Sequence, residues 1–489
     1  MKKIENKAML ITYADTLGGN LRELDRVLER YFPGAFGGVH VLPFFPSSGD
    51  RGFAVIRYDE VDPAFGTWED IDRLGEKYYL MADFMLNHVS IRSAEFRDYM
   101  KNGENSPYRD MFIHWDKFWP GGEPTREELN ALYRRKDAGP YLSFTRDDGK
   151  VVRLWNTFFG EQIDIDPFAG ATQDYYARNL GRITEHVPLV RFDAFAYASK
   201  VPGSSCFFVE PTIWEVLDIG MKPLRAAGAE MLPEIHENYT IQMKMAQKGY
   251  WVYDFALPML LLHGLHFGVT DRLIHWLNIC PRKQFTTLDT HDGIGVVDVA
   301  GLLTEEEIDA TQEKVDALTA NVKPYIPFPT VVRVPGKPVQ RYQMMTTYYS
   351  ALGGDDRAYL LARAVQLFAP GIPQIYYVGL LAGENDIEGV KKDTDPRTVN
   401  RHSFTEEEIA REAEREVVRK LTGLLRWRNT CPAFDGEITV GEARGDGKLS
   451  VTWVNGDCAA ALTADFKSKC FTITERRGST VTERFRQDD

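Results

Sequence analysis

Arg191 and Asp193 stand two residues apart at the end of the apolar run Pro188–Leu189–Val190. On a strand, side chains at i and i+2 share a face, so a guanidinium and a carboxylate leave this strand end together. A positive charge beside a carboxyl favours its ionised form. An ionised, oriented Asp is the nucleophile that a covalent glycosyl transfer requires. Taken alone, such a pair also serves as a plain ion pair closing a strand. Two further acids fit the same description: Glu234 follows Leu232–Pro233, and Asp292 follows His291. Each ends an apolar stretch and opens a loop, so all three can meet at one mouth. Three carboxylates brought together repel unless some are paired or protonated. Arg191 offsets part of that charge. Glu234, with no basic neighbour in the sequence, is the one expected to hold a proton, as an acid catalyst must. His88, after Leu86–Asn87, and His291 occupy comparable strand ends.

The elements that carry these residues alternate. Residues 9–13, 39–42, 79–86, 188–192, 229–234, 250–256, 284–289 and 373–378 read as eight strands, with helices over 21–31 and 70–77. Alternating β and α predicts a parallel sheet. Polar residues gathered at the strand C-termini predict an α/β (β/α)8 TIM barrel with its chemistry at that face. Residues 90–186, polar and aromatic with Trp115, Trp119 and the run Arg134–Arg135–Lys136, break the rhythm and read as an inserted lid. Residues 302–345, rich in proline, read as a second, irregular insertion, and 406–428 as one amphipathic helix. Beyond about residue 436, alternating Val, Thr and Gly predict a small antiparallel β-domain. The expected division is therefore barrel over 1–89, 187–301 and 346–435, lid over 90–186, insertion over 302–345, and C-terminal β-domain over 436–489.

The net charge of −13 and pI near 5.4 leave no basic patch for nucleic acid or a membrane surface. Cys206, Cys280, Cys431, Cys458 and Cys470 are scattered and lack CxxC spacing, which fits a reducing cytoplasm better than a disulfide framework or a zinc site. Glu5 and Asn6 follow the opening Met1–Lys2–Lys3–Ile4 where a signal peptide would turn apolar. The greasiest stretch, 251–269, contains Asp254, Pro258, His263 and His266, which a bilayer span would not accept easily. The expectation is a cytoplasmic enzyme with no cofactor and no metal. Nothing in the sequence marks an oligomer interface.

Four short regions resemble the α-amylase superfamily, glycoside hydrolase family 13. They are Asp83–Phe84–Met85–Leu86–Asn87–His88, Arg191–Phe192–Asp193–Ala194, the strand-end Glu234, and Thr290–His291–Asp292. The stretches Asp50–Arg51–Gly52–Phe53, Glu161–Gln162–Ile163–Asp164 and Asn400–Arg401–His402 are similar to its sucrose phosphorylase branch, and the likeness covers essentially the whole chain. The resemblance implies a retaining phosphorylase with sucrose or a related α-glucoside and inorganic phosphate as partners. By it, Asp193 is nucleophile, Glu234 acid/base and Asp292 transition-state stabiliser. Asp50, His88, His291 and Arg401 would hold the glucosyl ring, with Arg191 orienting Asp193. Phe53 and Phe158 would form an apolar platform, with Gln162 beside it. Arg135 and Tyr197 would lie at the acceptor side, as would Gln340, Tyr342 and Gln343 in the loop Val339–Gln340–Arg341–Tyr342–Gln343. The branch's sucrose-specific members carry Leu-Asp where Val339–Gln340 stand here, and Lys337 and Arg341 add charge. Relatives acting on sucrose 6′-phosphate, glucosylglycerol or glucosylglycerate are therefore the alternatives. Tyr342 resembles the sucrose form, which keeps sucrose as the expected donor; a plain α-glucosidase is the hydrolytic alternative.

Overall fold

The computed structural model describes residues 2–136, 138–326, 330–332, 340–393 and 395–488, with only the backbone of 330–332, 340 and 341. Its central strands are β1 (Met9–Thr12), β2 (Gly38–Val41), β3 (Tyr79–Met85), β4 (Leu189–Asp193), β5 (Glu230–Pro233), β6 (Val252–Asp254), β7 (Gln284–Thr286) and β8 (Ile372–Tyr376). They hydrogen-bond in the order β6-β7-β8-β1-β2-β3-β4-β5, the nearly closed parallel sheet of a (β/α)8 barrel. β1, β2 and β3 are buried throughout and read as apolar runs, as a sheet covered on both faces requires. Among the described residues no helix is long and apolar enough to cross a membrane.

The chain divides into two compact units, the first formed by 1–3, 41–235 and 331–340, the second by 4–40, 236–330 and 341–489. In the first, β3 pairs with β4 and β4 with β5, all in parallel, with Met85 opposite Asp193 and Phe192 opposite Pro233. Between β3 and β4 the chain forms two small antiparallel pairs, His88–Ser90 with Gln162–Asp164 and Tyr141–Thr145 with Val151–Trp155. Trp115, Trp119 and Trp155 build a separate aromatic cluster there.

In the second unit, β6, β7, β8 and β1 pair in parallel. The unit ends in a five-stranded antiparallel sheet, from Glu437–Val440 to Thr480–Gln487. In its Lys448–Asn455 strand, Leu449, Val451 and Trp453 are buried and alternate with more open positions, the period of a one-sided sheet.

Three expectations need correction. Residues 302–345 are not irregular throughout: Glu305–Leu318 is a 14-residue helix. Its prolines all lie after residue 323. Thr304 and Glu307 form a capping box at its start, a signal outweighed by the proline count. Residues 406–428 form two helices, Glu406–Ala413 and Glu416–Thr430. Arg415 caps the second with extended backbone, and its guanidinium donates to the Leu381 and Ala382 carbonyls.

β7 also stops at Thr286 rather than Asp289. Asp289 leaves the ladder to meet Arg363, whose Nη2 donates to both its oxygens at 2.8 and 2.9 Å, while Nη1 donates to Gln366 at 2.9 Å. Gly379 crosses directly over this wholly buried guanidinium. A Cβ there would lie 2.1 Å from Arg363 Nη2 and 2.2 Å from Asp289 Oδ2. Gly379→Ala is expected to destabilise the chain by about 3 kcal/mol or more, since it combines overpacking with a disturbed buried ion pair. The check is the shift of the thermal midpoint at fixed scan rate, and an unchanged midpoint would contradict it.

Candidate active site

In the first unit the site is organised by one side chain. Arg191 points off β4 beside Asp193, with Nη1 3.1 Å from Asp193 Oδ1. The same nitrogen bonds Asp83 of β3, and Nη2 stands 3.7 Å from Glu234 Oε2, one residue beyond β5. A buried guanidinium thus spans carboxylates from three adjacent strands, a task for a planar group with separated donors rather than an ammonium. Because Phe192 pairs with Pro233, Asp193 and Glu234 are the next residues on neighbouring strands. The adjacent strand thus gives Glu234 a basic neighbour that its own stretch of sequence lacks.

Ala194 follows Asp193 with φ 53° and ψ 21°, a left-handed conformation that costs a non-glycine residue about 1–2 kcal/mol. It turns the chain sharply into the Phe195–Ala198 turn and leaves Asp193 at the strand end. Asp50 also sits in left-handed backbone, φ 52°, and its Oδ2 accepts from Gln162 Nε2 at 3.0 Å. His88 Nε2 lies 3.1 Å from the Phe53 carbonyl, so the hydrogen-bond network assigns it the ring proton. Nδ1 is then a buried acceptor with no partner among the described residues. Burial holds the His88 imidazole below its usual range, keeping it neutral. Phe158 meets His88 edge-on at 5.5 Å and Tyr197 at 5.0 Å. The Arg191 guanidinium lies 5.9 Å from the centre of the Phe53 ring.

Arg134, Arg135 and Lys136 are half-buried around a cavity also lined by Tyr133, Thr157 and Tyr197. Lys136 donates to Asn156 and, at 3.0 Å, to the Phe158 carbonyl. Burial lowers its pKa.

In the second unit, two guanidiniums converge on one carboxylate. Arg401 Nη2 lies 3.6 Å and Arg397 Nη1 3.7 Å from Asp292 Oδ1. Arg401 Nε also donates to the His291 carbonyl at 2.7 Å, fixing the loop that carries both residues. Tyr13, just past β1, sets its ring edge-on to His291 at 6.1 Å and 5.8 Å from the Arg401 guanidinium. Tyr342 and Gln343 are buried. Tyr342 accepts from the Val296 N–H at 2.9 Å and meets the His236 ring at 5.7 Å, while Gln343 pairs with Gly295. His236 stacks on Phe255 at 3.8 Å, and its Nδ1 is 3.1 Å from Asp298 Oδ2. Lys337 and Val339 lie outside the described residues, and of Gln340 and Arg341 only the backbone is described.

The structure therefore joins Asp193, Glu234 and Arg191 into one group, Asp50 with Gln162, and His88 with Phe53, Phe158 and Tyr197. In the other unit it joins His291, Asp292 and Arg401. Sequence reasoning missed the roles of Asp83, Tyr13, His236, Asp395 and Arg397. Asp83 was legible as the one acid within an apolar strand, and Arg397 as a second arginine four residues before Arg401. Asp395 accepts from Arg397 at 2.8–3.1 Å and so orients it.

Elsewhere, Cys431, Cys458 and Glu475 bring possible metal-ligand atoms within 4.8 Å. Glu475 already accepts from Trp427, Arg477 and Arg484, and two guanidiniums beside it oppose a bound cation.

A family model described as the alpha amylase catalytic domain matches residues 35–137. The sucrose phosphorylase of Streptococcus mutans is 52% identical over 440 residues, 89% of this chain and 90% of its own length. The sucrose 6(F)-phosphate phosphorylase of Thermoanaerobacterium thermosaccharolyticum is 43% identical over 480 residues, 96% of this chain and 97% of its own. The crystal structure of sucrose 6F-phosphate phosphorylase from Thermoanaerobacter thermosaccharolyticum aligns with a TM-score of 0.93 at 40% identity, covering 99% of each chain.

Proposed function

Because the chain belongs to the sucrose phosphorylase branch of the α-amylase superfamily, we propose that it converts sucrose and phosphate to α-D-glucose 1-phosphate and fructose with retention of configuration. The observation that carries this is the single guanidinium of Arg191 holding Asp193 and, on the next strand, Glu234. A retaining mechanism needs two carboxyls about 5–5.5 Å apart on one glycosidic bond.

Asp193 attacks C1 while Glu234 protonates the departing fructosyl oxygen. The product of this step is a β-glucosyl ester on Asp193. A phosphate oxygen then attacks C1 from the opposite side, the ester carboxylate leaves, and Glu234 takes any proton the acceptor carries. Two inversions give the α-phosphate. Asp292, held by Arg397 and Arg401, stabilises the positive charge that develops on the ring. Asp50, His88, His291 and Arg401 bind glucosyl hydroxyls, His88 through its open Nδ1, above the Phe53 and Phe158 rings, with Gln162 orienting Asp50. Arg135 and Tyr197 serve the acceptor side, with Gln340, Tyr342 and Gln343. The division into barrel, lid over 90–186, insertion over 302–345 and C-terminal domain belongs to the same reading. So does a cytoplasmic location, supported by five free thiols.

A second donor, sucrose 6′-phosphate, is favoured by the 43% identical relative and by an uncharged Gln340 beside Arg341. One assay separates the readings: sucrose with and without phosphate, then sucrose 6′-phosphate with phosphate. Glucose 1-phosphate should form in step with fructose, with free glucose a minor product, and sucrose should be the better donor. Glucose release indifferent to phosphate would overturn the phosphorylase reading. A higher kcat/KM for the phosphorylated donor would transfer it to the second substrate.

A further inference from the structure

Lys200 is a buried cation that the reaction above does not use. Its side chain is 3% exposed, and its ammonium sits among three oxygens from three separate segments. Asn87 Oδ1 lies at 2.8 Å, Asp164 Oδ2 at 2.7 Å and the Tyr197 carbonyl at 2.6 Å. An ammonium has three donors, so these acceptors saturate it.

Each segment carries part of the proposed glucosyl site. Asn87 immediately precedes His88. Asp164 faces His88 across the antiparallel pair and lies two residues beyond Gln162. Tyr197 lies in the Phe195–Ala198 turn that Ala194 starts directly after Asp193. Asp164 is itself fixed, since Thr157 donates to it from both its N–H, at 3.0 Å, and its hydroxyl. Burial works against the charged form of Asp164, but the Lys200 ammonium and the Thr157 donors hold its carboxyl below the usual range.

We propose that Lys200 is a positioning residue for glucosyl transfer, a fixed point charge that locks the strand end before His88, the strand after Gln162 and the turn after Asp193 into one register. The proposal rests on the glucosyl-site reading above and adds a residue to it. Lys200 acts through these three oxygens, and its charge also balances Asp164 beside His88.

That balance gives a readout that a role in stability alone would not move. The charged groups facing His88 are Asp164 and Asp50, which favour its protonation, and Lys200, which opposes it; the Phe53 carbonyl holds Nε2 and the Phe158 ring covers an edge. Without Lys200, His88 takes a proton at higher pH and loses its Nδ1 acceptor. The acid limb of kcat/KM then moves upward in pH.

The test compares wild type, Lys200→Met and the double variant Lys200→Met/Asp164→Asn. Each is checked for folding by circular dichroism and assayed with sucrose and phosphate across pH. Lys200→Met should lose about 100-fold in kcat/KM, the scale of a small misplacement of reacting groups, with its acid limb shifted up. The double variant should recover the wild-type limb but not the rate, because no charge joins the segments. A folded single or double variant within about threefold of wild-type kcat/KM would overturn the proposal, as would an unmoved limb in folded Lys200→Met. If only the double variant folds, its rate decides. If neither folds, Lys200 belongs to stability and the proposal fails. Wild type is also assayed with α-glucosyl fluoride: turnover of fluoride without turnover of sucrose refutes the donor assignment and leaves the Lys200 comparison readable on fluoride.

Discussion

Asp193→Asn should reduce turnover of sucrose by about 10⁴-fold or more while leaving the chain folded. The amide keeps the shape of the carboxylate but cannot form the glucosyl ester, so the loss falls on the chemical step. The fold should persist because Arg191 keeps Asp83 and Glu234 when Asp193 loses its charge, so no buried cation is left bare. A smaller variant gives a positive signal. In Asp193→Gly the space beneath C1 can admit azide, which displaces fluoride from α-glucosyl fluoride in one step. The expected product is β-glucosyl azide and free fluoride, with configuration inverted, because a single displacement replaces two. Wild-type enzyme should give no β-azide. Substantial sucrose turnover by Asp193→Asn, with mass spectrometry excluding reversion to Asp, would remove Asp193 from the nucleophile's role.

The pairing of Arg191 with Asp193 was legible because a strand's period of two fixes it within five residues of chain. The eight strands were legible for a related reason: each is a short apolar run that stops where a polar loop begins. What the chain order hid is set by which strand lies beside which. Asp83 reaches Arg191 because β3 pairs with β4, and Glu234 reaches it because β5 pairs with β4. From the sequence, Glu234 had no basic neighbour; the ladder supplies one. Lys200 was hidden for the same reason. Two of its three acceptors, on Asn87 and Asp164, come from segments distant along the chain, and the third is a backbone carbonyl that no residue type announces. Local capping signals were readable and underweighted: the Thr304–Glu307 box marks a helix inside a stretch that its prolines made look irregular. Sequence gave the acceptor side least help, because its loop differs from the branch at residues 339 and 340, where spacing offers no physical rule.

Glu234→Gln should separate leaving groups rather than simply slow the enzyme. With sucrose, the departing fructosyl oxygen needs a proton as the bond breaks, and loss of a positioned acid costs about 10²–10⁴-fold. Fluoride leaves without protonation, so kcat/KM for α-glucosyl fluoride should fall by less than about tenfold. The second half of the reaction divides in the same way. Water must give up a proton to attack C1, and without Glu234 nothing positioned takes it. Phosphate arrives already ionised and needs far less help. In Glu234→Gln, therefore, the ratio of glucose 1-phosphate to glucose formed from α-glucosyl fluoride should rise above the wild-type ratio at the same phosphate concentration. The Arg191 contact at 3.7 Å does not depend on a charge at Glu234, since the glutamine oxygen can still face the guanidinium. Equal losses on sucrose and on the fluoride, or an unchanged product ratio, would mean that the proton comes from another group, and the pairing of Asp193 with Glu234 across adjacent strands would lose its catalytic meaning.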